Sequence, residues 1–385
     1  MAALPLVQIV HRPSIIDLGW GHPDPALLPV DAIRRACASA LERFGPDALQ
    51  YGHVAGPGPL LEWLITRIAQ SEGHAPASDE VMITGGNSSA LECIVTMCTL
   101  PNDTVLVESP TYHLAIRILR DHRLNLIPVP SDGNGMVVEA LAAQLVDLKH
   151  SGTRVRALYT VPTFGNPTGA SLSEARRELL VELAAAEELL IIEDDVYREL
   201  AYDASAPRSL WSMAPSGTVA RMGSFSKSLA PGLRLGWLTA SRDLIGRLTH
   251  SGVLESGGGV NHFTAMAVAM LCEAGDFDAH VARLCAAYRT RRDALLAALR
   301  EHLPSGCRFD TPAGGFFVWL TLPSGISSDL LLSQAEASGT SYAPSTKFYL
   351  GAGGHNALRL AFSLYSSAKL AEAARRLGYA IRSFS

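Results

Sequence analysis

Val219-Ala220-Arg221-Met222-Gly223-Ser224-Phe225-Ser226-Lys227 opens as an apolar strand and breaks into a polar turn that ends on a lysine. Pro231-Gly232 follows, and 233–240 reads as another strand. The same rhythm runs upstream. Segments 81–84, 104–108, 124–129, 157–161 and 189–193 are short and rich in Val, Ile and Leu. Segments 89–100, 115–122, 139–149 and 173–188 read as the helices between them. The strands lack clean alternation of apolar and polar residues, as in a sheet covered on both faces. Strands alternating with helices predict an α/β fold with a mostly parallel central sheet.

Outward from this core the pattern changes. Residues 1–20 read as an extended arm. Segment 30–44 is a helix stopped by Gly45-Pro46, and 59–71 is another, ended by Gly73. From Phe277 a long helix runs to His302. A strand (316–321), a helix (329–338), a strand (358–363) and a final helix follow. The expected division is an arm and first helix (1–45) packing on the small domain, a large domain (46–285) and a smaller α+β C-terminal domain (286–385).

The chain has 385 residues, 48% of them hydrophobic and 18% charged. The charged share lies below the roughly 25% of an average soluble protein, which excludes a disordered chain. With 32 basic and 37 acidic residues the net charge is −5, and no basic stretch is dense. Nucleic acid is therefore not an expected partner. Six cysteines show no C-x-x-C spacing. They read as reduced thiols of a cytoplasmic protein rather than a disulfide frame or a zinc site. Met1 to Val10 carries no positive charge before its apolar residues, so no signal peptide is expected. No apolar run approaches the roughly 18 residues of a membrane helix.

In open parallel sheets ligands bind beyond the carboxyl ends of the strands, so the residues after each strand carry the chemistry. These are Gly85-Gly86-Asn87-Ser88-Ser89, then Ser109-Pro110-Thr111-Tyr112, then Pro162-Thr163-Phe164-Gly165-Asn166-Pro167-Thr168-Gly169. Asp194-Asp195-Val196-Tyr197 and Ser224-Phe225-Ser226-Lys227 complete the set. Each has a plain structural reading: a capped helix start, a packed tyrosine, a turn, a solvated lysine. Together they place amides, hydroxyls, a carboxylate, a ring and an amine along one sheet edge. The free amides of a helix start also favour phosphate.

Side chains alternate along a strand, so Glu193 and Asp195 share one face and Asp194 takes the other. No histidine stands near to complete a metal set, and no metal is expected. No G-x-x-x-x-G-K-[ST] occurs. Gly351-Ala352-Gly353-Gly354 has Asn356 where a dinucleotide fingerprint needs its third glycine.

Ser224-Phe225-Ser226-Lys227, followed by Ala230-Pro231-Gly232-Leu233-Arg234-Leu235-Gly236, comes after Asn166-Pro167-Thr168-Gly169 and Asp194-Asp195-Val196-Tyr197 in the chain. This ordered set resembles the fold-type I aminotransferases that depend on pyridoxal 5'-phosphate (PLP), class I/II, in the branch of the 2-aminoadipate aminotransferases. The resemblance runs from about Gly19 to the C-terminus. It implies the fold-type I PLP-dependent transferase fold, with its large and small domains.

The resemblance also implies roles. Lys227 would bond the cofactor aldehyde and carry the proton between substrate Cα and cofactor. Asp194 would pair with the pyridine nitrogen, and Tyr197 and Asn166 with the phenolic oxygen. Tyr112 would stack on the ring. Gly86, Asn87, Ser88, Ser224, Ser226 and Arg234 would hold the phosphate. Arg359 would clamp the substrate carboxylate, Gly21 would line the substrate entrance, and Tyr51 would reach the phosphate of a partner subunit. Departures from the pattern stand at Leu61, Ser88, Gly165 and Ser345, the last two expected to alter the substrate pocket.

The function implied is transfer of an amino group between an L-amino acid and a 2-oxo acid by a homodimeric, cytoplasmic, ping-pong enzyme. Another PLP-dependent reaction (β-elimination, decarboxylation or oxygen-dependent oxidation) would use the same groups. A non-catalytic PLP-binding regulator would need a DNA-reading module, for which the residues before Gly21 are too few.

Overall fold

The computed structural model describes residues 6–384 except Val10 and Ala352. The signal-peptide reading of Met1 to Val10 therefore falls largely outside the described residues.

Eight strands form the central sheet: β1 (Val81–Thr84), β2 (Thr104–Ser109), β3 (Asn125–Asp132), β4 (Gly135–Met136), β5 (Val155–Thr160), β6 (Leu190–Asp194), β7 (Val219–Ser224) and β8 (Gly236–Thr239). Their order is β1-β8-β7-β6-β5-β2-β3-β4. The run β7-β6-β5-β2-β3 is parallel. Strand β8 is antiparallel to both its neighbours, and β4 folds back on β3. The chain leaves β2 for β3 on one side and returns to β5 on the other, so the strand order reverses at the β2/β5 gap, where such sheets bind ligands.

Alternate residues of each strand feed two separate cores. Val105, Val107, Tyr159, Ile192 and Met222 pack on one side with the helices Asn87–Cys98 and His113–Asp121. Leu106, Leu158 and Ile191 pack on the other with Val138–His150 and Glu174–Ala186. Over the central strands both faces are buried, which explains why those sequences do not alternate, whereas β3 is half exposed.

Two boundaries differ from the sequence expectation. The strand expected at 233–240 begins only at Gly236. Before it, Pro231–Leu233 forms a 3-10 turn and Arg234 adopts the left-handed conformation, φ 47°. The helix expected at 89–100 starts two residues earlier, at Asn87, because Gly86 at φ 87° supplies the turn.

Phe317–Thr321 and Ala357–Ala361 form the centre of a four-stranded antiparallel sheet, flanked by Arg308–Phe309 and Ala343–Pro344. The helices Asp276–His302 and Ser367–Arg382 close it over a core that includes Tyr288, Leu295, Val318, Leu360 and Leu377. The arm joins this unit: Ile16 pairs with Thr340 and Asp17 with Ser341. The first helix does not, contrary to expectation. Val30–Phe44 turns Ala36 and Ala40 onto the apolar helix His262–Glu273 and onto Leu60 and Leu64. Small residues at 36 and 40 allow that close approach. The helix therefore belongs with the residues that carry the central sheet.

Candidate active site

Lys227 follows β7, and its Nζ donates to the Gly21 carbonyl at 3.0 Å. No carboxylate lies within ion-pair distance of it among the described residues. Burial, helped by Arg359, pushes its pKa down to about 8, against the pull of Asp194. An amine held there is partly neutral near neutral pH, as a nucleophile must be.

Asp194 ends β6 and is buried. Its Oδ1 accepts from Asn87 Nδ2 at 2.6 Å and its Oδ2 from the Tyr159 hydroxyl at 2.7 Å. Burial raises its pKa, and the two donors and Lys227 pull it back.

The other two acids of the run point the opposite way, as strand alternation requires. Asp195 pairs with Arg221 at 2.9 Å and with Arg198 at 2.5 Å. Glu72 meets the same two arginines at 3.1 and 3.4 Å. Glu193 accepts the backbone N–H groups of Leu210 and Trp211 and stands 4.0 Å from Arg177. These carboxylates are neutralised within a buried network, whereas Asp194 is held by neutral donors alone.

Arg359, on the strand Ala357–Ala361, is brought to Asn166 of the β5 loop. One guanidinium nitrogen donates to Asn166 Oδ1 at 2.7 Å and the other to the Gly19 carbonyl at 2.6 Å. The group lies 4.2 Å from the Phe317 ring and 4.9 Å from that of Phe348. Its Nε is buried without a partner, and no carboxylate pairs with it among the described residues. Burial pushes its pKa down to about 10. A desolvated cation without a counter-charge is costly, so this position suits an anionic ligand.

Tyr197 is buried beside Asn166, its ring edge-on to Phe316 and Phe317, and burial raises its pKa. Tyr112 stands at the start of His113–Asp121, its hydroxyl pushed up to about 12 by burial and by Asp194. A Cβ on Gly21 would lie 2.6 Å from Phe317 Cζ, so a side chain there would displace the ring under Arg359.

The phosphate-cradle candidates also converge. The helix that begins at Asn87 has no side-chain cap, which leaves its first N–H groups open. A Cβ on Gly86 would lie 3.1 Å from the Arg234 guanidinium. Ser224 and Ser226 form one turn, the Ser226 N–H donating to Ser224 Oγ at 3.1 Å. Ser88 is exposed within this chain. Tyr51 is not brought in at all: it is 83% exposed, packed against Gly258.

The two departures expected to alter the substrate pocket have other surroundings. A Cβ on Gly165 would lie 2.9 Å from the Val161 carbonyl, so the turn itself requires glycine. The Ser345 hydroxyl bonds Ser328 and the Gly354 carbonyl and accepts from the Ala357 N–H. It ties a loop of the small sheet.

Sequence reasoning missed Tyr159 and the phenylalanines around Arg359. Tyr159 had a signal: it lies on the same strand face as Asp194 once β5 and β6 are known to be neighbours, with Tyr159 opposite Ile192. Among the described residues no helix is long and apolar enough to cross a membrane.

A half-buried lysine, an ion-pair-free aspartate, an uncapped helix start and an uncompensated arginine fit an aromatic phosphate ester with an aldehyde. Residues 13–377 match the family described as aminotransferase class I and II, and the chain belongs to it. It is a PLP-dependent enzyme that transfers amino groups. It is 34% identical to aromatic-amino-acid aminotransferase 1 of Thermococcus litoralis, over 98% of this chain and 90% of that one. It is 32% identical to the 2-aminoadipate transaminase of Thermus thermophilus, over 98% and 92%. The crystal structure of a multiple substrate aminotransferase from Thermococcus profundus superposes with a TM-score of 0.91 at 35% identity, covering 96% of this chain and 92% of that one.

Proposed function

We propose that the chain moves an amino group from an L-amino acid to a 2-oxo acid by a ping-pong mechanism, in a cytoplasmic homodimer. The observation that carries this reading is a pair of cations without a carboxylate partner among the described residues, the half-buried Lys227 on the Gly21 carbonyl and the buried Arg359 on the Gly19 carbonyl and Asn166.

When bound, PLP supplies an aldehyde that takes the amino group and a ring that accepts electrons from Cα. Lys227 is the residue to hold that aldehyde and to move the proton at Cα. Asp194 keeps a negative charge at the ring-nitrogen position, which favours a protonated, electron-accepting ring. Asn166 and Tyr197 are placed to hold the ring oxygen, and Tyr112 to cover the ring face. Gly86, Asn87, Ser88, Ser224, Ser226 and Arg234 would receive the phosphate through amides, hydroxyls and a guanidinium. Arg359 offers two parallel N–H donors to the substrate carboxylate. Gly21 leaves room at the entrance, and the exposed Tyr51 is free to serve the site of a partner subunit.

The fully buried rings of Phe317 and Phe348 pack on the Arg359 guanidinium and hold it in place. The relative from Thermococcus litoralis bears an aromatic donor in its name. Six free cysteines support a reducing compartment. The domain division near residue 285 is retained as part of this reading, with the first helix now assigned to the large unit.

The test is a single turnover with one amino acid and no oxo acid. One equivalent of 2-oxo acid per subunit, with nitrogen retained on the protein, supports transamination. Release of ammonia or carbon dioxide, or uptake of oxygen, would replace it with another PLP-dependent reaction.

A further inference from the structure

Asn87 occupies the first position of its helix, next to the turn expected to hold phosphate. The N-cap position is Gly86, which has no side chain to cap the open N–H groups, and Asn87, one position on, does not cap them either. Instead Nδ2 points down onto the sheet, donating to Asp194 Oδ1 at 2.6 Å and to the Met222 carbonyl at 3.2 Å. Reversing the amide would set its oxygen against a carboxylate and a carbonyl, three acceptors facing one another, so the amide orientation is fixed by chemistry. With both hydrogens directed inward, Asn87 has only its backbone N–H left for a phosphate.

We propose that Asn87 is a positioning residue for Asp194, holding the carboxylate in plane and ionised so that it meets the cofactor's ring nitrogen. The Asn87 amide takes one carboxylate oxygen and the Tyr159 hydroxyl takes the other. A cation in either place would neutralise the charge that Asp194 must present, as Arg198 and Arg221 do for Asp195. A neutral donor keeps the charge and fixes its direction. Because Asn87 also begins the helix whose N–H groups face the phosphate position, one residue sets the distance between the two ends of the cofactor. This inference rests on the reading of Asp194 as the ring-nitrogen partner.

The experiment compares Asn87→Ala, Asp194→Asn and the double variant as PLP-loaded proteins. The readouts are the pH midpoint of the bound cofactor's absorbance, kcat, and the affinity of the apoprotein for inorganic phosphate. Asn87→Ala is expected to move the midpoint in the same direction as Asp194→Asn, by less. It should lower kcat about tenfold, with phosphate affinity changed by less than about twofold. In the Asp194→Asn background the same change should add nothing. Asn87→Ser suits a helix start but is too short to reach Asp194. It should behave like Asn87→Ala and serves if the alanine variant folds poorly. Additive effects, or a lost phosphate affinity with an unmoved midpoint, would overturn the proposal and leave Asn87 a phosphate residue. An Asp194→Asn protein with an unmoved midpoint would instead remove the reading of Asp194 itself.

Discussion

The Tyr159 hydroxyl reaches across from β5 to donate to Asp194 Oδ2 at 2.7 Å, although Tyr159 is level with Ile192 in the sheet. The step of two residues along a strand is roughly 6.6 Å, a span suited to a tyrosine side chain and to few others. Tyr159→Phe keeps the shape and leaves a buried carboxylate oxygen without its donor. The apoprotein should lose about 2 kcal/mol of stability, measured by urea unfolding, and kcat should fall about tenfold. Unchanged values for both would remove Tyr159 from the site.

Gly165 is one of the positions where the chain departs from the pattern it resembles, and glutamine, usual there in that pattern, is the replacement to try. The turn argues against it. A Cβ would sit 2.9 Å from the Val161 carbonyl, and the Gly169 N–H already closes the turn on the Gly165 carbonyl at 2.7 Å. Gly165→Gln should cost about 1–3 kcal/mol and weaken every amino donor through a displaced Asn166. A variant as stable as the parent, with only its donor ranking altered, would contradict this.

His280 is buried, and Arg283 donates to its Nδ1 at 2.9 Å. Burial first and Arg283 second lower its pKa from 6.5 to about 4. The folded state therefore binds fewer protons than the unfolded state between these values. The stability His280 supplies is complete above pH 6.5 and is lost as pH falls towards 4. In His280→Leu the slope of unfolding free energy against pH should flatten across that window. An identical slope would mean that the folded ring takes up its proton as readily as the unfolded one.

Tyr51, almost wholly exposed on one chain, predicts a composite site. Mixing Tyr51→Phe with Lys227→Ala subunits places both lesions in one site of each heterodimer and leaves the other site whole. Random pairing should restore up to about a quarter of wild-type activity above that of the Tyr51→Phe homodimers. Activity that only dilutes on mixing would mean that Tyr51 does not serve the partner's site.

Much of this was readable in the chain itself. Which face Glu193, Asp194 and Asp195 take follows from the period of two along any strand, a property that needs no partner. The run of strand ends carrying Asn166, Asp194 and Lys227 follows from βα alternation, because right-handed crossovers bring those ends to one edge. Tertiary structure alone decided the rest. Amphipathic spacing says that Val30–Phe44 has a face to bury, but not that His262–Glu273 is the surface that covers it. Arg359 and Asn166 stand 193 positions apart, and only the docking of the small sheet brings them within 2.7 Å. Asn87 reads as a phosphate residue at a helix start, and Tyr159 carries no signal of its own, until the order β7-β6-β5 puts Asp194 between them. Local geometry is a property of short segments and their backbone sterics. The partners of a buried charge depend on which surfaces meet, and that is set by the packing of the whole chain.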